Sequence, residues 1–448
     1  MISLEVLGAF DFLENEVRIG TLDYDRIKGS ASYRFSYDEK FLRDFSFLNM
    51  SADLGIFSGV QSATGRIFTF LGDALPDRWG RSLIDKRERI LAKEQGRLAR
   101  AFDDFGYLVR IDDATRMGAL RFKYDGLYVG MSPEGMNIPP LTELGTFIRE
   151  AALFEKEEKD GQQVNERWID NLWRQGSSLG GARPKANIVK EDGSIWIAKI
   201  PSIRDTYDIA LWENFACKMA RRVGITVAET ELIASDTSPY HALLSRRFDR
   251  NAHGRIHYAS SLTLTGFHDG DGTDTGKGYV DIANAIVGDM GCVAPNDNLE
   301  ELFRRIVFNI IIGNHDDHFR NHGFLLTKKG WTLSPAFDLN PTLIKNQSLM
   351  ISPYTNKSSL TDLLDASEYY LLERSVAKDI IGEVCNRFVK WKEFAAFCGI
   401  SSKELERFSP RIEAGLKDGY SLFVNVSPVR IETSGKAMGL NINTKRKI

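Results

Sequence analysis

Between Asn314 and Asn321 the chain reads Asn-His-Asp-Asp-His-Phe-Arg-Asn, and another acid, Asp338, follows in Phe337-Asp338-Leu339. Unpaired charge is costly to bury, so such a cluster calls for a cation, a phosphate or an open cleft. Three kinds of chemistry suit it. In phosphoryl transfer, Asp316 would take the proton of an attacking hydroxyl, Asn321 would follow five residues on, and Asp338 would hold a metal ion. In metal-assisted hydrolysis, His315, Asp316, His318 and His322 would be ligands; three of the seven histidines of the chain fall in this loop. In the plainest case, Asp316, Asp317 and Arg320 form an ion network that caps a helix and does no chemistry.

The elements around the loop decide what it can do. Asn298 suits a helix N-cap, and Leu299 to Ile312 is apolar first at the helical period and then on every side, which predicts a buried helix. Gly313 ends it. Beyond the loop, Phe324 to Thr327 and Trp331 to Leu333 predict a hairpin across Lys328-Lys329-Gly330. Helix, polar loop, hairpin and aspartate is the order of a kinase catalytic centre. Upstream, Gly176 to Lys185 is a glycine-rich stretch whose backbone amides could approach a phosphate, although glycine pairs also make simple turns and this is no Walker A motif. Ala186 to Val189 and Ile195 to Ile200 predict a second hairpin, with Lys199 inside an apolar run. A kinase strand lysine contacts phosphates and pairs with a helix glutamate, and Glu213 lies on the next predicted helix, Ile209 to Arg222. Lys199 alone could be an edge-strand charge. Glycine loop, lysine strand, glutamate helix and D-x-x-x-x-N loop in one order favour the kinase reading. Strands at Glu229 to Ala234 and His241 to Phe248 then lead to an expected hinge between lobes.

The rest of the chain positions these parts. Strands at Leu4 to Leu13, Val17 to Leu22 and Ala31 to Phe35 open the chain, and a helical stretch runs from Ile67 through Arg81. Asp85 to Arg100 is basic, but its interleaved acids make it a solvated helix face rather than a nucleic-acid surface. A strand is expected at Gly118 to Phe122, and helices at Leu141 to Lys159 and Gln163 to Arg174. Asp269 to Gly278 contains two decoys: Gly278 follows Lys277 where Walker A needs serine or threonine, and Val280 stands where an EF-hand needs glutamate. It reads as a mobile loop. Helices follow at Leu360 to Asp365, Leu371 to Phe388, Lys390 to Phe397 and Ser402 to Lys417, with a frayed tail from Ser427. The 448 residues carry a net charge of −3, so no global nucleic-acid footprint exists. Four scattered cysteines suit a reducing cytosol. The start lacks a signal peptide, and no apolar run reaches membrane-spanning length, so a cytoplasmic protein is expected.

Taken together, these residues resemble the HipA family of bacterial serine/threonine kinases, the toxin half of HipBA-type toxin–antitoxin pairs. The resemblance is carried by Ser178 to Lys185, Ala198-Lys199-Ile200-Pro201, Glu213-Asn214, Arg247 to Arg250, Asp316 to Asn321 and Pro335 to Asp338. It extends upstream through Arg18 to Leu22, Leu75-Pro76-Asp77-Arg78 and Met117 to Leu120. It implies an α+β, two-lobed protein-kinase-like fold: an additional N-terminal α+β subdomain at 1–124, a kinase N-lobe at 125–250 and a mostly helical C-lobe at 251–448. It also implies ATP and magnesium as cofactors. Gly180, Gly181, Ala182, Arg183, Pro184 and Lys185 would form the phosphate loop, Lys199 would contact ATP phosphates and pair with Glu213, and Arg246, Arg247 and Phe248 would supply the hinge. Asp316 would be the catalytic base, with His318 and Asn321 on the same loop; Asn321 and Asp338 would hold magnesium. Ser178 matches a serine that family members phosphorylate on themselves. A protein substrate such as an aminoacyl-tRNA synthetase is implied, with a HipB-like antitoxin as partner, DNA contacted only through that complex, and no membrane. Two departures stand out. Asp317 replaces a common glycine, which would bear on magnesium affinity or substrate choice, and Arg246 replaces an acidic hinge residue. The alternatives are a metallophosphohydrolase on the His315/Asp316/His318 loop and a non-catalytic module that binds antitoxin and DNA. Retention of Lys199, Asp316, Asn321 and Asp338 together argues against the latter.

Overall fold

The computed structural model describes residues 1–131, 138–160, 172 and 183–423. The expected helix at 163–174 apart from Leu172, most of the glycine-rich stretch including Ser178, Gly180, Gly181 and Ala182, and the tail from Ser427 lie outside the described residues.

The chain opens with β1 (Ile2–Gly8), β2 (Val17–Ile27), β3 (Ser30–Tyr37), α1 (Glu39–Phe45), β4 (Val60–Thr64), α2 (Arg78–Glu94), α3 (Asp104–Leu108), β5 (Leu120–Tyr124) and β6 (Leu127–Tyr128). The strands form one sheet in the order β4-β3-β2-β1-β5-β6. In β3 the side chains of Ala31, Tyr33, Phe35 and Tyr37 are buried while the residues between them are not, as the two-residue period of a half-buried strand requires. They pack with Phe41, Phe68, Phe70 and Phe105. β1 is shorter than expected: it ends at Gly8, and Asp11 instead donates its N–H to the Arg255 carbonyl at 2.9 Å.

The second unit has α4 (Leu144–Lys159), β7 (Lys185–Val189), β8 (Ile195–Lys199), α5 (Ile209–Arg222), β9 (Thr230–Ile233) and β10 (Ala242–Arg246), in the sheet order β7-β8-β10-β9. Asp208 caps α5 by accepting the Leu211 N–H at 3.0 Å. The core on this sheet joins Ile188, Trp196, Ala198 and Leu244 with Phe147 and Phe154 of α4. It also takes in Trp79 and Leu83 of α2. By position in the chain α2 belongs to the first unit; by packing it belongs to the second.

The hairpin β11 (Arg250–Asn251) and β12 (Gly254–Arg255) leads into β13 (Tyr258–Ser260), α6 (Ser261–Thr265), α7 (Tyr279–Val287), α8 (Pro295–Ile312), β14 (Gly323–Thr327) and β15 (Gly330–Leu333). The helices α9 (Leu360–Asp365), α10 (Arg374–Arg387), α11 (Trp391–Phe397) and α12 (Ser402–Ser421) complete the third unit. α8 is its central element, with Phe303, Ile306, Val307, Phe308, Ile311 and Ile312 at 0% exposure. Its start differs from the expectation. Pro295 occupies the first turn, as its fixed φ favours. Asn298 is therefore inside the helix rather than its cap: its Nδ2 donates to the Val293 carbonyl at 2.7 Å and its Oδ1 accepts the Leu333 N–H at 2.8 Å, tying α8 to β15. The C-terminal end is as expected, with Gly313 at φ +84°.

A buried ion pair joins the first unit to the others. Arg247 and Asp249 are 2.7 Å apart with side chains at most 1% exposed. Arg247 donates to the carbonyls of Thr115 and Arg116 at 2.7 and 3.1 Å, and Asp249 accepts the Gly118 N–H at 2.8 Å.

Candidate active site

Register brings the first cationic pair together. In the β7/β8 ladder Lys185 stands directly opposite Lys199. Like charges across a strand pair repel, so the arrangement needs anions. Two carboxylates supply them: Lys199 Nζ donates to Glu213 Oε1 of α5 at 2.5 Å and to Asp338 Oδ1 at 2.6 Å. Burial alone would lower the Lys199 pKa, but Asp338 and Glu213 together hold it above its ordinary value. Burial would likewise raise Asp338, and the Lys199 and Lys185 charges hold it well below the carboxylate range. Lys185 fares differently. Burial and the neighbouring Lys199 bring it down to about 8, against the opposing pull of Asp338, Asp77 and Glu213.

Asp338 has φ +58°, a left-handed conformation that costs a non-glycine residue about 1–3 kcal/mol and persists only where the surroundings impose it. Asn340 helps to impose it. Its Nδ2 donates to Asp338 Oδ1 at 3.0 Å and to Glu213 Oε2 at 3.3 Å, while its Oδ1 is buried without a hydrogen-bond partner among the described residues.

The loop after α8 faces this cluster. The Asp316 carboxyl opens onto the cleft, yet the protein behind it desolvates it enough to raise its pKa; His318 opposes the shift, and Asp338 and Asp317 add to it. Asp317 points the other way. It is 2% exposed and accepts from His322 Nε2 at 2.7 Å, Tyr279 Oη at 2.8 Å and Asn309 Nδ2 at 2.8 Å. The acid at the usual glycine position is thus a fastening of the loop to α7 and α8, turned away from the cleft. Asn321 Nδ2 lies 3.5 Å from the Asp316 carbonyl, across the turn of the loop. Arg320 donates twice to Asp269, at 2.7 and 2.8 Å. The stretch from Asp269, expected to be mobile, is held there and by Thr273 and Tyr279 N–H bonds to the Ser348 and Met350 carbonyls, and it lines the cleft.

The histidines do not gather as ligands. His315 is buried with Nδ1 2.5 Å from the Ile344 carbonyl and Nε2 2.9 Å from Ser358 Oγ, and burial pushes its pKa down to about 4. His322 is committed to Asp317. Among the described residues no three His, Cys, Asp or Glu side chains are grouped to hold a metal ion.

The cleft has a volume of about 1060 Å³ and is lined by all three units. Of the residues expected at the site, Arg183, Lys185, Lys199, Glu213, Asp316, His318 and Asp338 line it. Arg183 pairs with Asp205 at the cleft edge. Pro184 is buried beside it, and Asn321 lies just behind Asp316. The side chains expected at the hinge are directed elsewhere: Arg246 to Glu229 at 3.1 Å, Arg247 to the buried junction, and Phe248 to the Phe337 ring at 5.6 Å between centroids. Among the cleft residues not expected at the site, Asn340 and Asp77 bear most on its charges. Asn340 had a local signal, a polar residue two places beyond Asp338. Asp77 stood in the Leu75-Pro76-Asp77-Arg78 motif, but nothing in the sequence put it at the site, because only the tertiary fold brings the start of α2 to the cleft.

The chain matches the model of the HipA-like C-terminal domain over residues 177–392 and that of the HipA N-terminal domain over residues 11–123. The putative kinase Y4dM of Sinorhizobium fredii is 29% identical over 191 residues, covering 37% of this chain and 45% of that protein. The serine/threonine-protein kinase toxin HipA of Shewanella oneidensis is 25% identical over 197 residues, covering 38% of this chain and 45% of that protein. The chain thus spans somewhat less than half the length of the curated relatives it matches. In three dimensions it is similar to HipA from the Shewanella oneidensis MR-1 complex of HipA, HipB and operator DNA, with a TM-score of 0.66 and 18% identity over 93% of this chain and 97% of that one. That likeness is one of fold.

Proposed function

This chain belongs to the HipA family through both its N-terminal and its C-terminal domain, and from that premise we propose that its cleft transfers the γ-phosphoryl group of ATP to a serine or threonine hydroxyl of a protein. The observation that carries the reading is Lys199, opposite Lys185 and clamped between Glu213 and Asp338, facing Asp316 across one cleft. Two lysines held side by side fit the phosphates of a nucleotide, and positioning of those phosphates supplies most of the catalysis in phosphoryl transfer.

Asp316 accepts the hydroxyl proton as the substrate oxygen bonds to the γ-phosphorus and the bond to the β-phosphate oxygen breaks, releasing ADP. Magnesium would be held by the Asp338 carboxylate and, as the family resemblance implies, the Asn321 amide; Asn340 Oδ1, on the residue that bonds Asp338 and without a hydrogen-bond partner among the described residues, is a further hard oxygen, and magnesium takes one or two carboxylates with phosphates for the rest. When bound, magnesium neutralises charge on the phosphates. Lys199 and Asn340 orient Asp338, and Asp317 holds the loop that presents Asp316.

The same reading makes Ser178 a site of self-phosphorylation that lowers ATP affinity, since a phosphoserine within the sequence stretch assigned to the phosphates would repel the nucleotide. It takes a HipB-like protein as antitoxin and DNA as a ligand of the joint complex, supported by the assembly in which the Shewanella HipA was solved. The substrate is a cytoplasmic protein, with an aminoacyl-tRNA synthetase as the first to try. Metal-assisted hydrolysis is not favoured, because His315 has both ring nitrogens engaged away from the cleft.

Lys199→Met tests the reading. It keeps the apolar stem and removes the charge, so thermal unfolding should stay near that of the parent while phosphoryl transfer falls at least about a hundredfold. A folded variant that transfers like the parent contradicts it.

A further inference from the structure

α2 is encoded within the N-terminal domain yet reaches the strand that carries Lys185. Trp79, 6% exposed, packs edge-on against Phe154 of α4 with ring centroids 5.6 Å apart, and its Nε1 donates to the backbone carbonyl of Lys185 at 3.2 Å. That carbonyl belongs to the first residue of β7, so the indole fixes the point from which the Lys185 side chain departs. Two residues earlier, Asp77 occupies the N-cap position of α2, but its carboxylate makes no cap hydrogen bond. It lines the cleft together with Lys185, Asp316 and Asp338. Its charge acts on Lys185 of the second unit and on Arg320 of the catalytic loop.

We propose that Asp77 and Trp79 are positioning residues for Lys185, so that the N-terminal domain is a working part of the nucleotide site. The inference rests on the reading of the cleft as that site. Trp79 sets where the lysine begins, and Asp77 offsets the repulsion from Lys199. Glu213 and Asp338 are the other counter-charges that face Lys185. With Asp77 neutralised, Lys185 keeps Lys199 as a neighbour and has one fewer acid in support, so it gives up its proton at a lower pH.

The test is ATP affinity, KM for ATP and kcat across the pH range around 8 for the parent, Asp77→Asn, Asp77→Glu and Trp79→Phe, each with its thermal unfolding. Asp77→Asn is expected to unfold like the parent, to bind ATP about threefold to tenfold more weakly, and to move the alkaline loss of affinity to lower pH. Asp77→Glu should recover most of both. Trp79→Phe keeps the packing and loses the N–H, so its effect should appear in KM for ATP more than in kcat. Should Trp79→Phe not fold, the two Asp77 variants decide alone. A parent that binds no ATP overturns the cleft reading and this inference together. A parent that binds and transfers, with Asp77→Asn unchanged in affinity and in its alkaline limb, overturns the positioning role and leaves the cleft reading standing.

Discussion

Lys185 and Lys199 oppose each other in register, yet their acid–base behaviour separates, and the difference is testable. Lys199 has two carboxylates in contact and stays charged. Lys185 is brought down to about 8 by burial and by Lys199. Its charge should therefore be present below pH 8 and lost as pH rises through that value, and ATP affinity should fall over the same interval. Stability moves the opposite way. The unfolded lysine titrates near 10.5, so between about 8 and 10.5 the unfolded chain holds more protons and stability rises with pH. Lys185→Met should remove both trends, as read by ATP titration and by unfolding at several pH values. An ATP affinity that is flat through pH 8 in the parent would contradict the assignment. Lys199 and Glu213 could be read in the sequence because a lysine inside an apolar strand must find a partner. Their third member, Asp338, was legible as an acid but not as the ligand of Lys199. The opposition of the two lysines was not legible at all, since it depends on hairpin register. Nor was the side-chain direction of Arg247, which the resemblance assigns to the hinge and whose guanidinium lies in the buried junction.

α8 and the loop after it form a unit whose rigidity comes from Asp317. Three donors from α7, α8 and His322 converge on one buried carboxylate. Burial would raise its pKa, but His322 and the Tyr279 hydroxyl hold it below its ordinary value. Asp317→Ala strands all three donors and should cost about 3–5 kcal/mol, measurable by denaturant unfolding. At temperatures where the variant is folded, kcat should fall while ATP affinity stays close to that of the parent, because the loop and not the lysine pair is loosened. A loss of under about 1 kcal/mol would show that Asp317 is no fastening. The length and burial of α8 were legible from its apolar run, and its end from Gly313. Its start was misread because Asn298 is a good cap residue by type, while Pro295 and the left-handed Ala294 at φ +46° begin the helix a turn earlier. The fastening of the Asp269 stretch to Arg320 was not legible for a similar reason. Glycine and aspartate content describes what the backbone can do, and Arg320, distant in sequence, decides what it does.

At the scale of the molecule, two features make the first unit inseparable from the catalytic ones: α2 in the second core and the buried Arg247–Asp249 pair. Burial would raise the Asp249 pKa, and Arg247 and Arg250 instead hold it well below the carboxylate range. Its contribution to stability is thus present above about pH 4 and is lost as pH falls further toward its folded value. Asp249→Ala leaves Arg247 buried and unpaired and should cost about 3–5 kcal/mol, with earlier unfolding of the whole molecule rather than of one end. Separate unfolding of the N-terminal unit in the parent would contradict that picture. The expected boundary at 124 follows the chain, and the packing of α2 crosses it; a helix shows its apolar face in sequence but not the partner of that face. The central claim concerns the whole cleft, and one measurement tests it most directly: transfer of labelled γ-phosphate from ATP with magnesium to protein, by the parent, Asp316→Asn and Asp338→Asn, with ATP binding measured alongside. The parent should transfer. Asp316→Asn should bind ATP normally and lose about 10²–10⁴ in rate, the span of a lost general base. Asp338→Asn should lose magnesium-dependent binding as well. A parent that transfers nothing, or two folded variants that transfer like the parent, would contradict the account.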